Sequence, residues 1–120
     1  MTDLAPVLDH TVFDALVEEI DIDGVRATLD GFLAESEKQI ARLRACSCDK
    51  DRAEIKEEAH KLKGASGTFG LLQVSELARM LEHSALQIAP GSYRELLDRI
   101  ESCFGIARNE LEAAMLESAA

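Results

Sequence analysis

His60, Lys63 and Glu82 are the side chains of this sequence whose types and spacing could do chemistry together, with Gly64 and Gly67 beside them. All five lie in one stretch, AHKLKGASGTFGLLQVSELARMLE, which runs from Ala59 to Glu82. A carboxylate on one nitrogen of an imidazole fixes the tautomer and makes the other nitrogen a better nucleophile. An ammonium alongside would neutralise an anion held at that second nitrogen. This chemistry requires two helices to set the residues level with one another.

The first half of the stretch reads as a helix because Ile55, Ala59, Leu62, Ser66 and Phe69 recur at the three- and four-residue steps of one apolar stripe. At about 100° per residue, His60 is turned away from that stripe, with Lys56, Lys63, Gly64 and Gly67 as its neighbours on the outer face. Each glycine costs a helix roughly 1 kcal/mol relative to alanine, and bare backbone there leaves the ring approachable. Gly70 suits the left-handed residue that ends a helix, and a second stripe follows at Val74, Leu77, Ala78, Leu81, Ala85 and Ile88. In a helical hairpin folded back about position 71, His60 and Glu82 are each eleven residues from the centre and therefore level. The same count sets Lys63 opposite Arg79.

His60, Leu62, Lys63, Gly64, Ser66 and Gly70, preceded by Ala59, resemble the motif of the histidine phosphotransfer (HPt) family: a histidine, x-[LI]-K-G, small residues and a further glycine. The run AHKLKGASGTFG is especially similar to the phospho-accepting domain of chemotaxis kinases, where a glutamate at the position of Glu82 contacts the histidine. Many phosphorelay members carry glutamine or another polar residue there instead. The motif covers about a fifth of the chain, and its fixed spacing makes it far more specific than a lone HxxK. The resemblance implies that His60 accepts a phosphoryl group, that Lys63 neutralises its oxygens and that Glu82 orients the ring. It implies no cofactor of the protein's own, since magnesium belongs to the receiver-domain partner.

A single domain is expected from 120 residues. Aromatic residues make up 4% and tryptophan is absent, while Ala, Leu, Glu and Arg are abundant, which favours helices. A formal charge of −10 argues against sequence-independent binding to nucleic acid or an anionic membrane. The cations around His60 are the exception. No apolar run approaches a membrane span and the N-terminus lacks the regions of a signal peptide, so a cytoplasmic protein is expected. Cys46, Cys48 and Cys103 cannot all pair within one chain, C-S-C is not a common zinc spacing, and reduced thiols are the simpler reading.

Taken in order, residues 1–9 form a short arm with Asp9 as a helix cap, and a short helix follows over about His10 to Ile20. Its stripe of Val12, Phe13, Leu16, Val17 and Ile20 would lie across the end of a bundle. The D-I-D-G run has the look of a calcium loop, but Arg26 replaces the required glycine and Phe32 the closing glutamate, so calcium is rejected. Further helices are expected over Ile22 to Cys46, Lys50 to Phe69, Leu72 to Ile88 and Tyr93 to Leu116. Ala89, Pro90, Gly91 and Ser92 should break the chain before the last of these. The fold expected is all-α: an antiparallel four-helix bundle over residues 22–118, preceded by the arm and short helix of residues 1–20. Gly105 falls inside the last helix with no functional account.

No Walker-type phosphate loop is present and the chain is too short to add an ATP-binding domain, so no autonomous kinase activity is expected. The function expected from the resemblance is a phosphocarrier, exchanging a phosphoryl group on the distal nitrogen of His60 with aspartates of response-regulator receiver domains. A histidine kinase or hybrid kinase would be the other partner. Two alternatives remain: a phospho-accepting domain fed directly by a kinase, and a helical interaction module that is never phosphorylated. Lys56 and Arg79 read equally as guides for a partner and as a solvated face, and Gly64 and Gly67 read as steric necessities. Val12, Phe13 and Leu16 are candidates for an apolar docking patch near His60. His10 and His83 have no supporting constellation. A zinc site from His60, Glu82 and His83 is rejected because His83 is turned by about 100° from Glu82. A monomer is expected, and the initiating methionine leans toward a free-standing protein.

Overall fold

A computed structural model describes residues 6–119. Residues 1–5 of the expected arm lie outside the described residues. Among the described residues there are five helices and no strand: α1 (His10–Glu19), α2 (Ile22–Ala45), α3 (Arg52–Thr68), α4 (Leu72–Ser84) and α5 (Pro90–Ala119). Asp9 caps α1 by accepting from the Thr11 amide at 3.0 Å. Asp21 caps α2 by accepting from the Gly24 amide at 2.7 Å. The D-I-D-G run is therefore a helix start, with Asp21 as its cap and Asp23 in the first turn.

Four boundaries lie two or more residues from expectation, one of them the end of α5, at Ala119 where about Leu116 is expected. α3 starts at Arg52, two residues late, because Ser47 and Asp51 close the preceding turn, with the Ser47 amide donating to the Asp51 carboxylate at 2.7 Å. α4 stops at Ser84 and does not reach Ile88. The carbonyls of Ala85 and Ile88 instead accept from the Arg52 guanidinium of α3, both at 3.0 Å, which removes the need to continue the helix. α5 starts at Pro90, so Pro90 and Gly91 open the helix where a break was expected. Proline at the first helical position loses no hydrogen bond, since that amide has no partner within the helix, and the Tyr93 amide bonds the Ala89 carbonyl at 2.9 Å.

The four long helices pack in the cyclic order α2, α3, α4, α5, and α5 returns to α2. This is a four-helix bundle with a short N-terminal helix. Its core contains Val25, Leu29 and Leu43 of α2, Ile55, Ala59 and Leu62 of α3, Val74, Leu77, Ala78 and Leu81 of α4, and Leu97, Ile100, Ala107 and Leu111 of α5. Phe32 and Phe69 stack with ring centroids 4.4 Å apart, closing the α2–α3 face near the hairpin turn. Tyr93 donates from its hydroxyl to the Leu43 carbonyl, and Arg44 pairs with Asp98 and Glu101, tying α5 to α2.

α1 lies across the α3–α4 end of the bundle, where the Asp9 amide donates to the Gly70 carbonyl at 2.8 Å. Phe13 is 3% exposed and belongs to the core, so it cannot serve as an open docking contact. The apolar stripe of a helix this short has to be buried for the helix to persist. Cys46, Cys48 and Cys103 are free thiols. No helix among the described residues is long and apolar enough to cross a membrane.

Candidate functional site

α3 must end sharply for its outer face to meet α4, and the residues at its end bring this about. Gly70 has φ +79°, in the left-handed region. The Leu71 amide returns to the Ser66 carbonyl at 2.8 Å and the Gly70 amide to the Gly67 carbonyl at 3.2 Å. These two bonds form the Schellman arrangement, which satisfies the last carbonyls while reversing the chain. α4 then runs back antiparallel to α3 with the fold-back centred near position 71.

In this register Glu82 comes level with His60, and the contact is direct: His60 Nδ1 is 2.7 Å from Glu82 Oε2. The other carboxylate oxygen accepts from the Lys63 ammonium, also at 2.7 Å. The His60 side chain is 65% exposed whereas that of Glu82 is 14% exposed, so a sheltered carboxylate holds an open ring. The Lys63 ammonium draws the Glu82 carboxyl below the usual carboxylate range, burial opposes the shift, and the His60 ring adds to it. An ionised carboxylate can only accept, so the proton is on Nδ1 and the lone pair of a neutral ring is on Nε2.

Because the folded carboxyl titrates below its unfolded counterpart, its contribution to stability is fully present above the unfolded value of about 4.3. It is lost as pH falls through the lower folded value. A carbon-13 titration of the Glu82 carboxyl should give a midpoint below about 4.3. A midpoint at or above that value would contradict the ionised bridge between His60 and Lys63.

The other candidate residues are placed as follows. Lys56 is exposed one turn before His60 on α3. Arg79 is exposed on α4 with its guanidinium held by Glu76 of the same helix, 3.1 Å from Nε to Oε2. Lys63 bonds Glu82, so the cation joined to the site is Lys63, while the charge of Arg79 is engaged elsewhere. Gly64 and Gly67 differ. A Cβ on Gly64 would meet nothing within 4 Å, so no neighbour within the chain requires the glycine, whereas one on Gly67 would lie 3.4 Å from Ser75 Oγ.

A set of groups with metal-ligand spacing does occur, at Cys46, Asp51 and Glu54, well along the bundle from His60. Burial first, and then Glu54 and Asp51, push the Cys46 thiol up to about 11. With no metal bound, the thiol is therefore protonated at neutral pH.

Ser75 was missed as a site neighbour. Its hydroxyl donates to the Lys63 carbonyl at 3.0 Å. Gly67 and Ser75 are each four residues from position 71, so the count that pairs His60 with Glu82 also pairs these two.

The fold has counterparts among known proteins. The Hpt domain family matches residues 27–117. Among solved structures, the chain is similar to the crystal structure of histidine-containing phosphotransfer protein B (HptB) from Pseudomonas aeruginosa PAO1. The identity is 27%, the match covers 94% of this chain and 97% of that one, and the TM-score is 0.83. No curated protein matches. The family match takes in most of α2, all of α3 and α4 and nearly all of α5, including the hairpin that sets Glu82 against His60, and the chain therefore belongs to the Hpt domain family.

Proposed function

We propose that the protein is a phosphocarrier in which His60 accepts a phosphoryl group on Nε2 from the aspartyl phosphate of a receiver domain and returns it to a receiver aspartate. The observation that carries this reading is the 2.7 Å contact from Nδ1 to Glu82 on a ring that is 65% exposed. The contact directs the lone pair to Nε2. The Nε2 lone pair bonds to phosphorus as the phosphorus–oxygen bond to the aspartyl carboxylate breaks, and the aspartate leaves as a carboxylate. The ring keeps its proton on Nδ1 and gains positive charge, which Glu82 balances across the same hydrogen bond.

Lys63, already beside Glu82, is in reach to neutralise the phosphoryl oxygens. Transfer of this kind needs in-line approach and charge neutralisation more than covalent machinery. The receiver supplies the acidic pocket and magnesium, and Lys63 with the exposed Lys56 offers complementary charge beside the ring. A histidine kinase or hybrid kinase feeds the pathway, and the protein works as a cytoplasmic monomer. The test is incubation with a panel of phosphorylated receivers. Acid-labile, base-stable label on this protein supports the reading. Absence of label across the panel, with label instead appearing from isolated kinase domains plus ATP, supports direct feeding by a kinase, and absence from both supports an interaction module.

Gly64 has no packing reason within the chain, and its bare backbone one turn beyond His60 leaves room for a receiver. Gly64→Ala should stabilise the fold by about 0.5–1 kcal/mol through helix propensity while slowing transfer by about tenfold. Gly105→Ala, in α5 with nothing within 4 Å of the new Cβ, should give a similar gain in stability and leave transfer unchanged. Urea denaturation and transfer rates on both variants check this. Wild-type transfer by Gly64→Ala would remove the steric role.

A further inference from the structure

Apart from the two bonds that meet at Glu82, and the Arg52 bonds to the Ala85 and Ile88 carbonyls just beyond the far end of α4, one side-chain hydrogen bond among the described residues joins the helices α3 and α4. It runs from Ser75 Oγ to the Lys63 carbonyl at 3.0 Å. Gly67 makes this approach easy, since a Cβ there would already lie 3.4 Å from the Ser75 oxygen. Gly67 and Ser75 lie seven residues, about two turns, from His60 and Glu82 along the same seam. The carbonyl that accepts belongs to Lys63, whose ammonium bonds Glu82. The bond therefore ties the backbone of one site residue to the helix that carries another.

Ser66 aside, the residues buried along these two helices are mainly apolar, with Ala59 and Leu62 on α3 and Val74, Leu77, Ala78 and Leu81 on α4. Apolar burial is non-directional and resists small slides weakly. A one-residue slip of α4 along α3 moves each side chain by about 1.5 Å and turns it by about 100°. Either displacement would take the Glu82 carboxylate out of line with Nδ1. A directional bond two turns away opposes that slip.

We infer that Ser75 is a positioning residue for His60: its hydroxyl holds α4 in the register at which Glu82 meets Nδ1, and so selects the tautomer with the lone pair on Nε2. The consequence for transfer rests on the phosphocarrier reading, but the consequence for the tautomer does not.

Long-range proton–nitrogen NMR of the His60 ring in wild type, Ser75→Ala and Ser75→Thr tests this, with phosphoryl uptake measured alongside. Wild type should show the Nδ1–H tautomer. Ser75→Ala should stay folded, populate the Nε2–H tautomer and take up phosphate about three- to tenfold more slowly. Ser75→Thr, which keeps a hydroxyl, should restore both. An unchanged tautomer in folded Ser75→Ala overturns the inference, as does a Ser75→Thr variant that behaves like Ser75→Ala. A tautomer shift with no uptake by any variant, wild type included, would support the positioning role while removing the phosphocarrier.

Discussion

His60→Gln should abolish phosphoryl uptake from every receiver while leaving the bundle folded. Glutamine places an amide near the ring's position and can hydrogen-bond Glu82, but its nitrogen has no free lone pair to attack phosphorus. The side chain is 65% exposed, so the cost in stability should stay within about 0.5 kcal/mol. Lys63 remains on Glu82 and keeps the carboxylate paired. Uptake at background level with an unchanged unfolding transition is the expected result. Label persisting on His60→Gln would move the acceptor elsewhere in the chain.

Gly70→Ala should destabilise the fold by about 2–3 kcal/mol. Two causes act together. The backbone is at φ +79°, and the new Cβ would lie 3.0 Å from the Asp9 carbonyl oxygen and 3.2 Å from Val12 Cβ. The first is a conformational cost that asparagine tolerates better than alanine, whereas the second falls on any side chain. Gly70→Asn should therefore be the less damaging of the two, although neither should match glycine. Urea denaturation of both variants separates the causes. A loss below about 0.5 kcal/mol for Gly70→Ala would mean that the α3–α4 reversal does not depend on this residue.

The pairing of His60 with Glu82 was legible in the sequence because it needed few assumptions. Two apolar stripes at helical spacing, with one glycine between them, leave a single place for the chain to reverse, and counting outward from it levels the pair. The same count would have found Ser75 opposite Gly67 had a hydroxyl been sought there. Lys63 was harder to place, because its stem carries the ammonium away from the level of its own backbone to Glu82. The end of α4 could not be read locally, since Arg52 of another helix takes the Ala85 and Ile88 carbonyls just beyond it. Pro90 reads equally as a breaker and as a first helical residue, and the Ala89 carbonyl decides between them. Glu58 gave no signal of its own, yet its side chain is 6% exposed, with Arg42 of α2 at 3.1 Å. Phe13 belongs to an amphipathic stripe whether it packs or docks, and only the position of α1 across the bundle end buries it.

The measurement that bears most directly on the central claim is phosphorus–nitrogen NMR of the nitrogen-15-labelled protein after phosphorylation by its best donor. The account predicts coupling of phosphorus to Nε2 of His60, with Nδ1 still carrying a proton bonded to Glu82. Coupling to Nδ1, or a phosphoryl group on any other residue, would contradict it.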